Sequence, residues 1–191
     1  AIGVGTFFEC SVGIGAQHLG PFVAVIACGI TTRKDVAEGV GHAVEGGRLH
    51  HGWLMTGPRG VGKATLAWRI ARFLLATPEN DGGMFAPPPP ESLDIPDSHP
   101  VARRLSALSE PRLFLLRRPY DEKAARIKQD ITVDEVRKMK SFFALSAADG
   151  GRRVAIIDAV DDMNTSAANA LLKLLEEPPS GVTLLLISHQ P

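Results

Sequence analysis

Cysteine is scarce in this chain, and neither sign of charge is in excess. Its 191 residues include two cysteines, Cys10 and Cys28, which are too few for a four-thiolate zinc site. A disulfide between them is conceivable, but two reduced thiols are the simpler interpretation. Basic and acidic residues each total 21, so no global charge indicates nucleic acid or a membrane as partner. We therefore expect no metal site.

Long hydrophobic runs are also missing. The most apolar stretch, residues 22–28, is too short to cross a bilayer, and no basic segment precedes it as in a signal peptide. We therefore expect no membrane partner. Residues 1–31 as a whole are apolar, glycine-rich and almost uncharged. They predict an extension outside the main domain, which would span residues 32–191.

Three arginine doublets are the main basic features. They could contact phosphates, but in a neutral protein scattered doublets are more often a solvated face. The doublets are Arg103-Arg104, Arg117-Arg118 and Arg152-Arg153.

A near match to a phosphate-binding loop stands at residues 57–65. They read Gly-Pro-Arg-Gly-Val-Gly-Lys-Ala-Thr. In the pattern G-x-x-x-x-G-K-[S/T], backbone N–H groups and the lysine hold the phosphates and the final hydroxyl holds Mg²⁺. An apolar strand-like run precedes the loop and a helix-like segment follows it, as the motif requires. Ala64, however, cannot ligate a metal. The candidate nucleotide-binding residues are Gly57, Gly60, Gly62, Lys63 and Thr65.

An apolar run that ends in a carboxylate follows later in the chain. Residues 153–158, Arg-Val-Ala-Ile-Ile-Asp, match the Walker B pattern, in which Asp158 would support the magnesium ion. Hydrolytic P-loop proteins usually carry glutamate directly after this aspartate to activate the attacking water, but this chain has Ala159. Because Ala64 and Ala159 remove two chemical groups from one site, we expect no catalytic residues and no required cofactor.

An active ATPase with rearranged ligands is the competing hypothesis. Thr65 would then replace the missing hydroxyl, and Asp161 or Asp162 would polarise the water. Thr65 comes one helical residue too late, which turns its side chain by about 100° from the required direction. Lys63 and the loop amides are still enough to hold a phosphate, so binding of ATP and magnesium without turnover stays open.

Strand-like and helix-like segments alternate along the chain. This alternation favours right-handed βαβ crossovers and a parallel sheet with helices on both faces. Lys63 and Asp158 would lie side by side at its carboxyl edge. Residues 77–100 include four consecutive prolines and predict an exposed insertion. The predicted strands are residues 53–56, 113–116, 154–158 and 183–188.

Three segments together carry a resemblance to a known family. Residues 57–65, 154–158 and, most specifically, 169–179 (Asn-Ala-Leu-Leu-Lys-Leu-Leu-Glu-Glu-Pro-Pro) resemble the clamp-loader branch of the AAA+ P-loop proteins. This match argues strongly against an unrelated P-loop kinase or transferase. It implies an AAA+ α/β fold for residues 32–191 and a place beside the gamma/tau and delta-prime subunits of bacterial DNA polymerase III.

Departures from the family pattern indicate which branch the chain resembles. Gamma and tau keep the metal-binding hydroxyl, the Asp-Glu pair and a cysteine-rich zinc module, whereas residues 77–100 here contain no cysteine. The resemblance is therefore to delta-prime subunits, the ATPase-inactive stators of the ring that loads a sliding clamp onto primed DNA. It implies gamma/tau, delta, the clamp and primed DNA as partners in the cytoplasm. An active gamma/tau-like clamp-loader ATPase is the alternative.

Two further expectations come only from the resemblance. Ser188 falls where AAA+ proteins place the sensor-1 polar residue, at the tip of a strand between the Walker motifs. The family's Ser-Arg-Cys motif, its lid and its collar domain would all follow Pro191. The resemblance therefore implies that this chain is the N-terminal part of a longer protein.

Overall fold

A computed structural model of the protein describes residues 23–27, 40, 49–77, 92–145 and 151–190. The strands in this part of the chain are β1 Val23–Ala27, β2 Gly52–Thr56, β3 Leu113–Arg117, β4 Tyr120–Asp121, β5 Arg126–Ile127, β6 Arg153–Asp158 and β7 Val182–Ile187. The helices are α1 Lys63–Ala76, α2 Pro100–Ser106, α3 Val133–Leu145 and α4 Thr165–Glu176, with a 3₁₀ turn at Val160–Asp162.

Five of these strands form one parallel sheet in the order β1-β2-β7-β6-β3. All four predicted strands belong to it, which confirms the α/β fold class. Alternate residues of β6 face opposite sides: Val154 and Ile156 pack with α1 and α2, and Ala155 and Ile157 pack with α3 and α4. Helices therefore cover both faces. This is why the sheet strands read as continuous apolar runs.

One strand of the sheet was not predicted. β1 pairs in parallel with β2, with Val23 opposite Gly52 and Ala27 opposite Thr56. These five residues belong to the segment that we expected outside the domain, so the expected boundary at residue 32 is wrong for them. The run Val-Ala-Val-Ile-Ala suits a strand, but only its pairing with a distant strand reveals that it belongs to the sheet. The rest of residues 1–31 lies outside the described residues.

Residues 77–100, the expected exposed insertion, are exposed only in part. Residues 78–91, which hold the four prolines, lie outside the described residues. Leu93 is buried in the same core cluster as α1, and Ile95 packs against that cluster. Pro100 is the first residue of α2, where the N–H that proline lacks has no helical partner in any case. The insertion is therefore anchored to the core at its carboxyl end.

A buried carboxylate, Glu110, connects α2 with the residues before β3 and, through Arg112, with α1. Its side chain is 1% exposed and accepts hydrogen bonds from Arg104 Nε at 2.8 Å and Arg112 Nε at 2.9 Å. Arg112 also donates to the carbonyl of Leu75 in α1, at 3.1 Å. Burial raises the pKa of the Glu110 carboxyl, but the hydrogen bonds and charges of the two arginines outweigh burial and hold this pKa below its usual value.

We expect Glu110→Gln to lower the free energy of unfolding by about 1–3 kcal/mol at neutral pH, because it removes the charge that both arginines bind. Since the folded-state pKa is depressed, this contribution is complete above the ordinary pKa of 4.5 and is lost as the pH falls through the folded-state value. Urea unfolding over this pH range should therefore depend less on pH in the variant. The control is Glu122→Gln, an exposed loop residue. Equal behaviour of the two variants would contradict the expectation.

Candidate functional site

The loop between β2 and α1 has the backbone shape that its glycines predict. Gly57, Gly60 and Gly62 have φ angles of 138°, 87° and 93°, a region that residues with a Cβ rarely adopt. Gly62 immediately precedes α1, and its carbonyl accepts the N–H of Leu66 at 3.0 Å. The loop therefore leads directly into the helix N-terminus, as in a phosphate-binding loop.

Lys63 is directed back at its own loop. The residue is 3% exposed, and its Nζ donates to the carbonyls of Gly57 and Pro58, each at 2.7 Å. A buried ammonium group without partners would be costly, and these two carbonyls satisfy it. The lysine side chain thus folds back onto its own loop, and two loop carbonyls stabilise its positive charge.

Neither residue after Lys63 is placed like a metal ligand. Ala64 is partly buried and its side chain packs against the core cluster that includes α1. Thr65 is exposed. Among the described residues, no group of three or more His, Cys, Asp or Glu could hold a metal ion. The roles predicted for Thr65 and the loop glycines stay predictions.

Asp158 ends β6, where it lies in register with Arg117 of β3 and Ile187 of β7. Strand β7 lies between β2 and β6, so Lys63 and Asp158 share the carboxyl edge but do not follow neighbouring strands. Their shared edge agrees with the expectation, and the closer expectation that the two side chains lie side by side stays a prediction. The last strand in the chain occupies the middle of the sheet, an order that the sequence of elements alone does not reveal.

Both aspartates of the 3₁₀ turn after β6 are already engaged. Asp161 Oδ1 accepts a hydrogen bond from Ser188 Oγ at 2.8 Å, and its Oδ2 accepts one from the N–H of His189 at 2.5 Å. Asp162 Oδ2 lies 3.2 Å from Arg118 Nε. Ser188, the predicted sensor-1 residue, therefore binds a carboxylate of this turn. Sequence reasoning missed the contact because 27 residues separate the partners.

A cleft of about 330 Å³ opens at the carboxyl edge of the sheet. It is bounded by the loop after β2, the ends of β3, β6 and β7, and the two-stranded ribbon of β4 and β5. Its lining is mainly charged, with more cationic than anionic groups. The charged and titratable lining residues are Arg59, Arg117, Arg118, Asp158, Asp162 and His189. One of the arginine doublets thus lines the candidate site.

Comparison with known proteins places the chain in a family. Residues 32–191 match the family model described as DNA polymerase III, delta subunit. The chain belongs to this family. A DNA polymerase III delta-prime subunit from Pseudomonas aeruginosa is 37% identical over 148 residues, which cover 76% of this chain and 40% of the relative. A gamma subunit from Buchnera aphidicola is 30% identical over 157 residues, 82% of this chain and 38% of the relative.

The comparisons confirm the resemblance to the clamp-loader family, and the higher identity to the delta-prime subunit favours that branch. The chain spans about two fifths of the length of these two relatives. A solved structure of a gamma subunit-related protein from Thermotoga maritima aligns with this chain at 26% identity and a TM-score of 0.34. The alignment covers 46% of this chain and 29% of the Thermotoga chain. Within the described residues, no helix is both long and apolar enough to cross a membrane.

Proposed function

We propose that this chain forms the AAA+ body of a delta-prime-type clamp-loader subunit, which acts as a stator and does not hydrolyse ATP itself. The observation that carries the proposal is the engagement of Asp161 by Ser188 and His189. A gamma-like ATPase with rearranged ligands would need a free carboxylate near Asp158 to polarise water. Each oxygen of Asp161 already accepts a hydrogen bond, and Asp162 pairs with Arg118.

We also propose that the degenerate P-loop is retained for its shape and requires no cofactor. Ala64 offers no oxygen to Mg²⁺. Two of the three N–H donors of the Lys63 ammonium group bind carbonyls of its own loop, so one donor at most is left for a phosphate. The positive-φ glycines meanwhile give the chain the tight turn that starts α1.

Partners follow from the proposed role. We propose the gamma/tau and delta subunits as neighbours, and the sliding clamp and primed DNA as partners of the whole complex in the cytoplasm. Similarity to both a delta-prime and a gamma subunit supports a place in such an assembly. The balanced charge of the chain agrees with a role exerted mainly through protein contacts.

ATP turnover is the direct test. The purified full-length protein should hydrolyse ATP no faster than its Lys63→Ala variant, because the groups that would bind magnesium and activate water are absent or engaged. The measurement is steady-state phosphate release. Turnover of about 1 s⁻¹ or more that Lys63→Ala abolishes would show a working site and favour the gamma-like alternative.

Assays on the reconstituted complex distinguish a role of Lys63 in the fold of the loop from a role in the use of a nucleotide. Lys63→Ala leaves the carbonyls of Gly57 and Pro58 without their partner and should cost about 1–3 kcal/mol of stability. Folded complexes should nevertheless assemble and load the clamp on primed DNA at the wild-type rate. Lys138→Ala, which removes an exposed lysine of α3, is the matched control. A large loss of loading with assembly intact would mean that a nucleotide is used here, and the stator proposal would fail.

A further inference from the structure

The turn between α2 and β3 holds an exposed leucine in a backbone conformation that suits glycine. Leu108 has a φ angle of 51°, in the left-handed region that residues with a Cβ seldom adopt. Its N–H donates to the carbonyl of Leu105 at 3.0 Å. The N–H of Ser109 donates to the carbonyl of Arg104 at 2.8 Å. These two bonds form a Schellman motif, which ends many helices and usually carries glycine at its left-handed position.

The fold gains little from a leucine at this position. Both hydrogen bonds use backbone atoms only, so glycine would form them equally well and without strain. Leu108 is 64% exposed and belongs to neither core cluster of the described residues. A single exposed apolar residue is ordinary on a protein surface. A leucine that is both exposed and strained, however, indicates a role outside the fold, because strain of this kind persists mainly where function requires it.

The surface beside Leu108 carries an excess of positive charge. Arg103 and Arg104 lie on the last turn of α2, and both are exposed. The one carboxylate among residues 103–112, Glu110, is 1% exposed and is bound by Arg104 and Arg112. Within the described part of the chain, no carboxylate lies at ion-pair distance from Arg103. The charge of this surface is therefore complementary to an acidic partner.

This surface lies at the opposite edge of the sheet from the phosphate-binding loop. The turn leads through residues 110–112 into β3, so it lies at the edge where the parallel strands begin. The loop with Lys63 follows the last residue of β2 and lies at the edge where they end. A contact through Leu108 is therefore separate from any nucleotide site, and it can be tested without changing that site.

We propose that Leu108 and the arginines beside it form a docking surface for a protein that presents an apolar pocket bordered by carboxylates. The leucine fills the pocket, and Arg103 faces the carboxylates at its rim, which is the usual arrangement of a protein interface. A nucleic acid backbone would offer phosphates to the arginines but no apolar pocket to the leucine. The proposal rests on the proposed function, because it places the partner among the proteins of the clamp-loader assembly.

Variants at position 108 separate docking from a role in the fold. Leu108→Gly should raise the melting temperature of the full-length protein by about 2 °C, because it relieves the left-handed strain. It should weaken binding to one of three purified proteins, gamma, delta or the sliding clamp, by about tenfold or more, since a leucine leaves the interface. Leu108→Asn tolerates the same conformation and should act alike. Leu108→Met keeps an apolar side chain of similar volume and should keep most of the binding.

A charge variant tests the rim of the same surface. Arg103→Gln should slow association with that protein in surface plasmon resonance and reduce its dependence on salt. Arg137→Gln, which changes an exposed arginine of α3, is the matched control and should do neither.

Three results would overturn the proposal. They are binding that the Gly and Asn variants leave unchanged, a lower melting temperature in Leu108→Gly, and loss only of self-association, which would assign the surface to a second copy of the chain. Each of these leaves the stator role intact. If the wild-type protein bound none of the three proteins, the proposed function itself would fail as well.

Discussion

Gly62→Val is expected to reduce the folded yield of the protein sharply and to lower its free energy of unfolding by on the order of 3 kcal/mol. Gly62 has φ 93° and ψ 21°, a left-handed conformation that is strained for a β-branched residue. The strain falls at the start of α1, which buries eight residues, six of them between Leu66 and Leu74 along one core face. Soluble yield and urea unfolding measure the effect.

Two matched variants separate the causes of this loss. Gly62→Asn keeps a residue that tolerates the left-handed conformation and should cost less than about 1 kcal/mol. Gly60→Ala introduces a Cβ at φ 87° with nothing within 4 Å of it, so it measures backbone strain alone. Equal stability of the Val and Asn variants at position 62 would show that the backbone shape of the loop is not what the glycine provides.

Local signals in the sequence predicted local structure well. Asn164, a residue type that commonly caps helices, precedes α4, and its side-chain oxygen accepts the N–H of Ala167 at 2.9 Å. Thr132 and Glu135 have the spacing of a capping box at the start of α3, but the carboxylate of Glu135 binds Lys138 at 3.0 Å instead. Such side-chain pairs differ by small free energies, so competing partners within one turn decide them.

Long-range pairing could not be predicted in the same way. The strand β1, the central position of β7 and the contact between Asp161 and Ser188 all join segments that are far apart in the chain. Hydrophobic periodicity indicates that a strand exists and which of its faces are buried, but it does not identify the strand with which it pairs. The cleft is the clearest case, because Arg59 and Arg117 meet only through the strand order.

Asp161→Ala is expected to lower the free energy of unfolding by about 3 kcal/mol, because it leaves two donors without their acceptor. These are the backbone N–H of His189 and the hydroxyl of Ser188, a residue only 7% exposed, which would keep only its longer contact to the carbonyl of Gln190 at 3.3 Å. The loss should appear in urea unfolding with no accompanying change in ATP turnover. If Asp161 instead polarised the attacking water, the variant would lose turnover and keep its stability.

The neighbouring residue provides the control for this prediction. Asp162→Ala removes a carboxylate of the same turn, but its partner Arg118 is 42% exposed, and exposed ion pairs are worth about 0–1 kcal/mol. A double-mutant cycle of Asp161→Ala and Ser188→Ala isolates the bond between the two side chains. Its coupling energy should be about 1–2 kcal/mol. A value near zero, or equal losses in Asp161→Ala and Asp162→Ala, would mean that the sensor-1 position does not hold this turn.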